Sequence, residues 1–229
     1  MIKIEDLWKK YSNTWALRGI SLQVDEGKVL GVLGENGSGK SSLFKILAGV
    51  VRCSDGQVRI MDQPVGLETR RITSLLPEND CFYGWMKVAE QLEFLAHFYP
   101  QWDRHKEKEL LEFMNIPVDR KVGALSKGQK ARLKVVVAFS WPSRLVLMDE
   151  PFGGIDPPSR RKIMAALFDQ FRFGEQTILI STHLVEEIEE FVEDVVFLRD
   201  GEIALQGNVN RFREEQGKSL ADLFEEVVT

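Results

Sequence analysis

The sequence predicts an α/β fold carrying a strand-rich N-terminal region and an inserted α-helical subdomain. Three observations predict it. A short apolar run at 29–33 leads through a glycine-rich turn into a helical segment at 42–48. From about residue 87 to 140, apolar side chains recur at three- and four-residue steps, the period of a helix. Strand and helix patterns then alternate from residue 145 onwards, as in a sheet covered by helices. The 229 residues, 44% of them hydrophobic, suffice to bury a substantial core. They read as one domain, with its core at about 1–86 and 142–229 and the helical subdomain at about 87–141.

The elements follow in order. Strands are expected at 2–7, 20–24, 29–33, 57–61 and 72–76, some of them separated by the turn signals Asp25-Glu26-Gly27 and Ser54-Asp55-Gly56. Val88, Leu92, Leu95, Ala96 and Tyr99 repeat at helical steps. Leu110, Leu111, Phe113 and Met114 follow in a charged helix opened by Asp103. A helix at 130–139 precedes a strand at 145–148. A helix from about 158 to 171 and strands at 177–180 and 195–198 come next. The hairpin-like Arg199-Asp200-Gly201-Glu202 leads to a charged tail helix at 219–228.

Bulk properties narrow the function. A net charge of −5 argues against a general nucleic-acid binder, which presents a basic face, so no nucleic-acid partner is expected. Cys53 and Cys81 form neither C-x-x-C nor a zinc spacing, and read as two reduced thiols. The first residues begin a strand and lack a leader layout. No window approaches the about 18–20 apolar residues that a membrane helix needs. A soluble chain is expected, reaching a membrane only through a partner.

Gly34-Glu35-Asn36-Gly37-Ser38-Gly39-Lys40-Ser41 meets G-x-x-x-x-G-K-[ST] at every fixed position. The glycines let backbone N–H groups turn inward as an anion cradle, Lys40 can reach β- and γ-phosphates, and the Ser41 hydroxyl can ligate Mg²⁺. With Ser42 following, the phosphates would sit on the positive end of the next helix. Leu145-Val146-Leu147-Met148-Asp149-Glu150 supplies what a phosphate loop lacks. Asp149, at the carboxyl end of a buried strand, can hold Mg²⁺ with Ser41. Glu150 is placed to polarise a water as general base.

Leu125-Ser126-Lys127-Gly128-Gln129 adds a second candidate anion site, with Ser126 as N-cap of the 130–139 helix and Gly128 allowing close backbone approach. In isolation it is an ordinary helix cap. Coming shortly before the Asp149-Glu150 strand, it resembles the signature loop L-S-G-G-Q of ATP-binding-cassette ATPases. The resemblance extends over essentially the whole chain and implies an α/β P-loop NTPase core with an N-terminal antiparallel β subdomain and an inserted α-helical subdomain. Tyr11 matches the aromatic residue that stacks on adenine, with Trp8 and Trp15 as neighbouring competitors. Leu76-Pro77-Glu78 falls at the Q-loop, which implies a place for Glu78 near the metal. Gly153-Gly154-Ile155-Asp156 matches the D-loop, whose Asp156 would organise the dimer contact. Thr182-His183 matches the switch histidine, which would contact the γ-phosphate and the attacking water. His97 and His105 lie outside the family's motifs.

The family implies two cassettes facing head to tail around ATP. Lys40, Ser41, Asp149, Glu150 and His183 would come from one chain, and Ser126, Gly128 and Gln129 from its partner. The partner could be a second copy or a related chain. The resemblance also implies a separate integral membrane subunit, whose coupling helix would dock near the Q-loop beside Phe82, Tyr83, Trp85 and Met86. That places the chain in the cytoplasm, peripheral on the inner face of the membrane, as the ATP-hydrolysing subunit of a transporter. The shortness of the chain and the Glu78 and Lys127 departures favour an export-type system. Lys127 replaces the first signature glycine and Glu78 the usual glutamine. The alternatives are a soluble cassette ATPase serving cofactor assembly or cell division, and a non-hydrolysing module switched by ATP.

Overall fold

The computed structural model describes residues 1–170 and 175–228. Two compact units are present, one made of Met1–Leu75, Arg144–Glu150 and Arg172–Thr229, the other of Leu76–Ser143 and Pro151–Phe171.

The first unit holds two sheets. Strand β1 (Ile2–Tyr11) pairs antiparallel with β2 (Thr14–Val24) in register Ile2↔Val24, Leu7↔Ile20 and Tyr11↔Thr14. Strand β4 (Asp55–Ile60) flanks β1 antiparallel, and the two-residue β5 (Gln63–Pro64) completes the order β2-β1-β4-β5. The hairpin is longer than the expected 2–7 and 20–24. Burial follows the apolar residues Ile2, Ile4 and Leu7 of β1 and Ile20, Leu22 and Val24 of β2, whereas the segment from Lys9 to Trp15 is half-buried or exposed and carries no core signal. Backbone pairing and the ring contacts of Trp15 with Trp8 and Lys10 extend it, around a turn in which Ser12 adopts a φ of 49°.

The second sheet has the order β10-β9-β3-β8-β7-β6. Its inner strands β3 (Val29–Leu33), β7 (Leu145–Asp149) and β8 (Thr177–Thr182) are buried at every position and pair in parallel. This is why each reads as an unbroken apolar or small-residue run. Strand β6 (Thr73–Leu76) lies at one edge; β9 (Asp194–Arg199) and β10 (Glu202–Asn208) form an antiparallel hairpin at the other. β10 was not expected, because an edge strand of alternating exposed and half-buried residues has little apolar content. Helix α1 (Lys40–Leu47) packs Leu43, Phe44 and Leu47 into a core shared with Ile2, Leu17, Leu147 and Val196. Short α2 (Leu67–Arg70) follows β5, and α7 (Val209–Gln216) and α8 (Leu220–Val228) end the chain.

The second unit is helical: α3 (Val88–Ala96), α4 (Arg104–Met114), α5 (Lys127–Phe139) and α6 (Pro157–Gln170). Helix α3 stops before Tyr99, because Pro100 disfavours helical geometry at the residue before it. Tyr99 instead stacks on Trp141 at a centroid distance of 4.7 Å. Asp103 caps α4, its Oδ1 accepting from the backbone N–H of His105 at 2.9 Å and of Lys106 at 3.0 Å. The expected end of α6 at Phe171 lies outside the described residues. Leu110 and Met114 of α4, Leu133 and Val136 of α5, and Ile163 and Leu167 of α6 are buried.

Candidate functional site

The first unit assembles the phosphate loop and its acidic partners. β3 ends at Leu33, the loop runs through Gly34–Gly39, and α1 starts at Lys40. Gly39 takes a φ of 108°, and a Cβ there would come within 2.5 Å of the Ala16 carbonyl, so only glycine fits. The β9–β10 turn backs the loop, with the Gly201 N–H donating to Ser38 O at 3.1 Å. Asn36 and Gly37 are exposed at the tip and Ser42 is half-buried in α1. Lys40 folds back over its own loop, donating to Gly34 O at 2.7 Å and Glu35 O at 2.9 Å.

Parallel pairing of β7 and β8 places Asp149 opposite Ser181. Asp149 Oδ1 accepts from Ser181 Oγ at 2.7 Å and from Ser41 Oγ at 3.1 Å. The next residue, Glu150, has a φ of 49°, a left-handed conformation that costs a non-glycine residue about 1–3 kcal/mol. Its N–H is held by Ser181, through the carbonyl at 3.0 Å and the hydroxyl at 3.1 Å. The turn aims the Glu150 carboxylate at two basic side chains: Lys40 Nζ lies 3.4 Å from Oε1, and His183 Nδ1 lies 3.0 Å from Oε2. The Lys40 and Glu150 side chains are only 5% and 7% exposed, whereas His183 is 41% exposed. Lys40, Ser41, Asp149, Glu150 and His183, expected together from sequence, therefore form one connected cluster. Ser181 was missed. Its only sequence signal is its place in a Ser-Thr-His run, and the register that gives it two acidic partners is a tertiary fact.

Two buried polar atoms of this cluster, Ser38 Oγ and Glu150 Oε1, have no hydrogen-bond partner. Such groups are exceptions in folded proteins and mark where a ligand's polar atoms fit. The Ser41 hydroxyl and Asp149 carboxylate are hard oxygen donors of the kind Mg²⁺ takes from protein, with phosphate and water supplying the rest. Among the described residues no group of three or more His, Cys, Asp or Glu could hold a metal.

Tyr11 ends β1 at 41% exposure, with Lys9 Nζ 4.7 Å from its ring centroid. Trp15, 39% exposed, directly precedes Ala16, the residue that meets the loop at Gly39. Trp8 is engaged elsewhere, its Nε1–H bonded to Asp6 at 2.8 Å and its ring set edge-on to Trp15.

The second unit carries the remaining candidates. Helix α5 begins at Lys127, three residues earlier than expected, so Gly128 and Gln129 lie in its first turn. Ser126 and Gln129 form a reciprocal cap: Ser126 Oγ accepts from Gln129 N–H at 3.1 Å, and Gln129 Oε1 accepts from Ser126 N–H at 2.9 Å. A Cβ on Gly128 would lie 2.5 Å from Ser159 Oγ and 2.6 Å from Asp156 Oδ1, so the start of α5 and the Asp156–Ser159 turn pack this closely because residue 128 has no side chain. Asp156 accepts from Ser159 N–H at 2.9 Å and Ser159 Oγ at 2.8 Å, which hold its carboxyl below the usual range. The ammonium of exposed Lys127 lies against Gly154, where an added Cβ would come within 2.4 Å of Nζ. The Glu78 side chain is exposed, and its carbonyl accepts from Lys134.

Comparison with known proteins agrees with this layout. Residues 17–153 match the family model described as ABC transporter. The chain is 31% identical over 223 residues to the uncharacterized ABC transporter ATP-binding protein YhaQ of Bacillus subtilis (strain 168), covering 95% of this chain and 74% of that protein. It is 28% identical to the ABC transporter ATP-binding protein NatA of the same organism, covering 98% and 96%. A solved ATP-binding subunit of an ABC transporter superposes with a TM-score of 0.87 at 26% identity, over 99% of both chains. A dimeric ATP-binding cassette, MJ0796 with ADP and Pi, shares the fold with a TM-score of 0.82 at 24% identity, over 91% of this chain and 98% of that one.

Proposed function

The chain belongs to the ABC transporter family, and from that premise we propose that it is the ATP-hydrolysing subunit that dimerises around ATP and drives a separate membrane subunit. The observation that carries the reading is the buried Glu150 carboxylate. One of its oxygens is held by His183, and the other, beside Lys40, accepts no hydrogen bond. A water beside the γ-phosphate would donate to Oε1, and His183 would keep the carboxylate aimed. Lys40 and the loop N–H groups would hold the β- and γ-phosphates, with Ser38 Oγ donating to a phosphate oxygen. Ser41 and Asp149 would hold Mg²⁺, which supplies positive charge against the phosphates when bound. Tyr11 would stack on the adenine.

Ser126, Gly128 and Gln129 would close the same nucleotide from a second cassette, with Asp156 at the dimer contact, so hydrolysis waits on dimerisation. A dimeric cassette of the same fold supports this arrangement. Glu78 would lie by the metal through its side chain. The membrane subunit would dock on an exposed aromatic row of the second unit: Tyr83 packs against Trp85 and Phe94 at 5.9 and 5.7 Å, and Phe94 against Phe98 at 5.2 Å. A contiguous exposed apolar row of this kind marks an interaction surface. Among the described residues no helix is long and apolar enough to cross a membrane; the seat on the cytoplasmic face of the membrane would come through that partner. Export is the direction favoured by the Lys127 and Glu78 departures.

Steady-state ATPase and ATP binding on the wild type and on Glu150→Gln test the reading. The variant is expected to lose about 10²-fold or more in kcat, while retaining ATP affinity and accumulating as a dimer by gel filtration. Equal turnover in both would remove Glu150 as general base. No turnover in either, with the membrane subunit present, would favour the ATP-switched module.

A further inference from the structure

Three successive backbone carbonyls converge on one lysine that the nucleotide chemistry does not use. Lys134, in the second turn of α5, donates to Pro77 O and Glu78 O at 2.8 Å and to Asn79 O at 3.0 Å. One turn earlier on α5, Lys130 pairs with Asp80 Oδ2 at 2.7 Å, and Asp80 Oδ1 lies 4.0 Å from Lys134 Nζ. Two lysines of one helix thus grip all of 77–80, a segment in neither helix nor strand. Lysine is seldom buried, yet this side chain is only 11% exposed, and burial pushes its pKa down. The arrangement is tolerated because all three ammonium donors are satisfied. An apolar side chain would fill the same space but would leave all three carbonyls without this donor, and the half-buried Pro77 would lose most by it.

We propose that Lys134 is a positioning residue: it fixes the backbone from which Glu78 projects to the helix whose first turn carries Ser126, Gly128 and Gln129, so the two move as one body. The lever is short and stiff, since Lys134 lies eight residues, or about 12 Å of helix, from Ser126. This rests on the nucleotide role proposed above for Glu78 and for the start of α5. Lys134 itself touches no nucleotide. It sets the geometry of groups that do, and a misplacement of about 1 Å can cost about 10²-fold in rate.

Kinetics of Lys134→Met on the full chain, with its membrane subunit where turnover requires it, test the proposal. A kcat lowered about tenfold with KM for ATP within about twofold, and cooperative thermal unfolding retained, is expected. In the double variant with Glu78→Ala the two losses should not multiply, because the residues act as one unit. An unchanged kcat, or losses that multiply, overturns the proposal. If Lys134→Met does not fold, Asp80→Asn loosens the same segment at a carboxylate that is 44% exposed. It should lower kcat about twofold to threefold, and an unaltered kcat there also overturns the proposal. A wild-type chain without ATPase activity defeats the functional reading. A wild-type ATPase that Lys134→Met leaves intact defeats only the positioning role.

Discussion

His183 Nδ1 stands 3.0 Å from Glu150 Oε2, a contact between two residues 33 positions apart at the ends of neighbouring parallel strands. The imidazole is the more exposed partner and the carboxylate the buried one. Removing the imidazole therefore frees a buried carboxylate to rotate, and leaves the loop intact. His183→Ala is expected to lower kcat by about 10²-fold with ATP affinity little changed, read by ATPase kinetics beside fluorescent-nucleotide binding.

Ser181 holds both acidic residues, accepting from the Glu150 N–H and donating to Asp149. In Ser181→Ala the Asp149 carboxylate loses its 2.7 Å donor. The unfolding free energy should drop by about 1–3 kcal/mol, measured in urea. The Mg²⁺ concentration for half-maximal ATPase should rise, because Asp149 is no longer oriented against Ser41.

Gly128→Ala should separate nucleotide binding from turnover. Its Cβ would meet Ser159 and Asp156 at 2.5–2.6 Å, so the start of α5 or the Asp156–Ser159 turn must shift. The phosphate loop belongs to the other unit. ATP binding is therefore expected to persist by calorimetry while kcat falls about tenfold or more.

Acid stability should report Asp103. Hydrogen bonds from the backbone N–H groups of Lys106 and His105 hold its carboxyl below the usual range. A depressed folded pKa adds stability above the unfolded value of about 4, and that stability is lost as pH falls through the folded pKa. Thermal midpoints of wild type and Asp103→Asn between about pH 7 and 3 should therefore differ most at neutral pH and converge in acid.

Much of the site was legible in the chain because its chemistry is local. The loop from Gly34 to Ser41 needs consecutive glycines, a lysine and a hydroxyl, and the Asp149-Glu150 pair needs only the end of an apolar strand. Strands β3, β7 and β8 were legible for a related reason: buried on both faces, they have unbroken apolar or small side chains. The outer half of the β1–β2 hairpin and strand β10 were not, since they rest largely on backbone pairing that polar residues support equally well. The start of α5 was placed late because Lys127, Gly128 and Gln129 carry no apolar period. Their helix is set by the reciprocal Ser126–Gln129 cap.

Residue types at short, fixed spacings carry the α/β class, the phosphate loop, the Asp149-Glu150 pair and the family. Tertiary structure decided what those residues touch. It paired Ser181 with Asp149, turned Glu150 into a left-handed bend between Lys40 and His183, set Lys127 against Gly154, and closed Lys134 on three carbonyls. These contacts join positions from about 27 to more than 100 residues apart, apart from the local fold of the loop itself. Strand register and helix packing fix such distances, and no local pattern in a single chain encodes them.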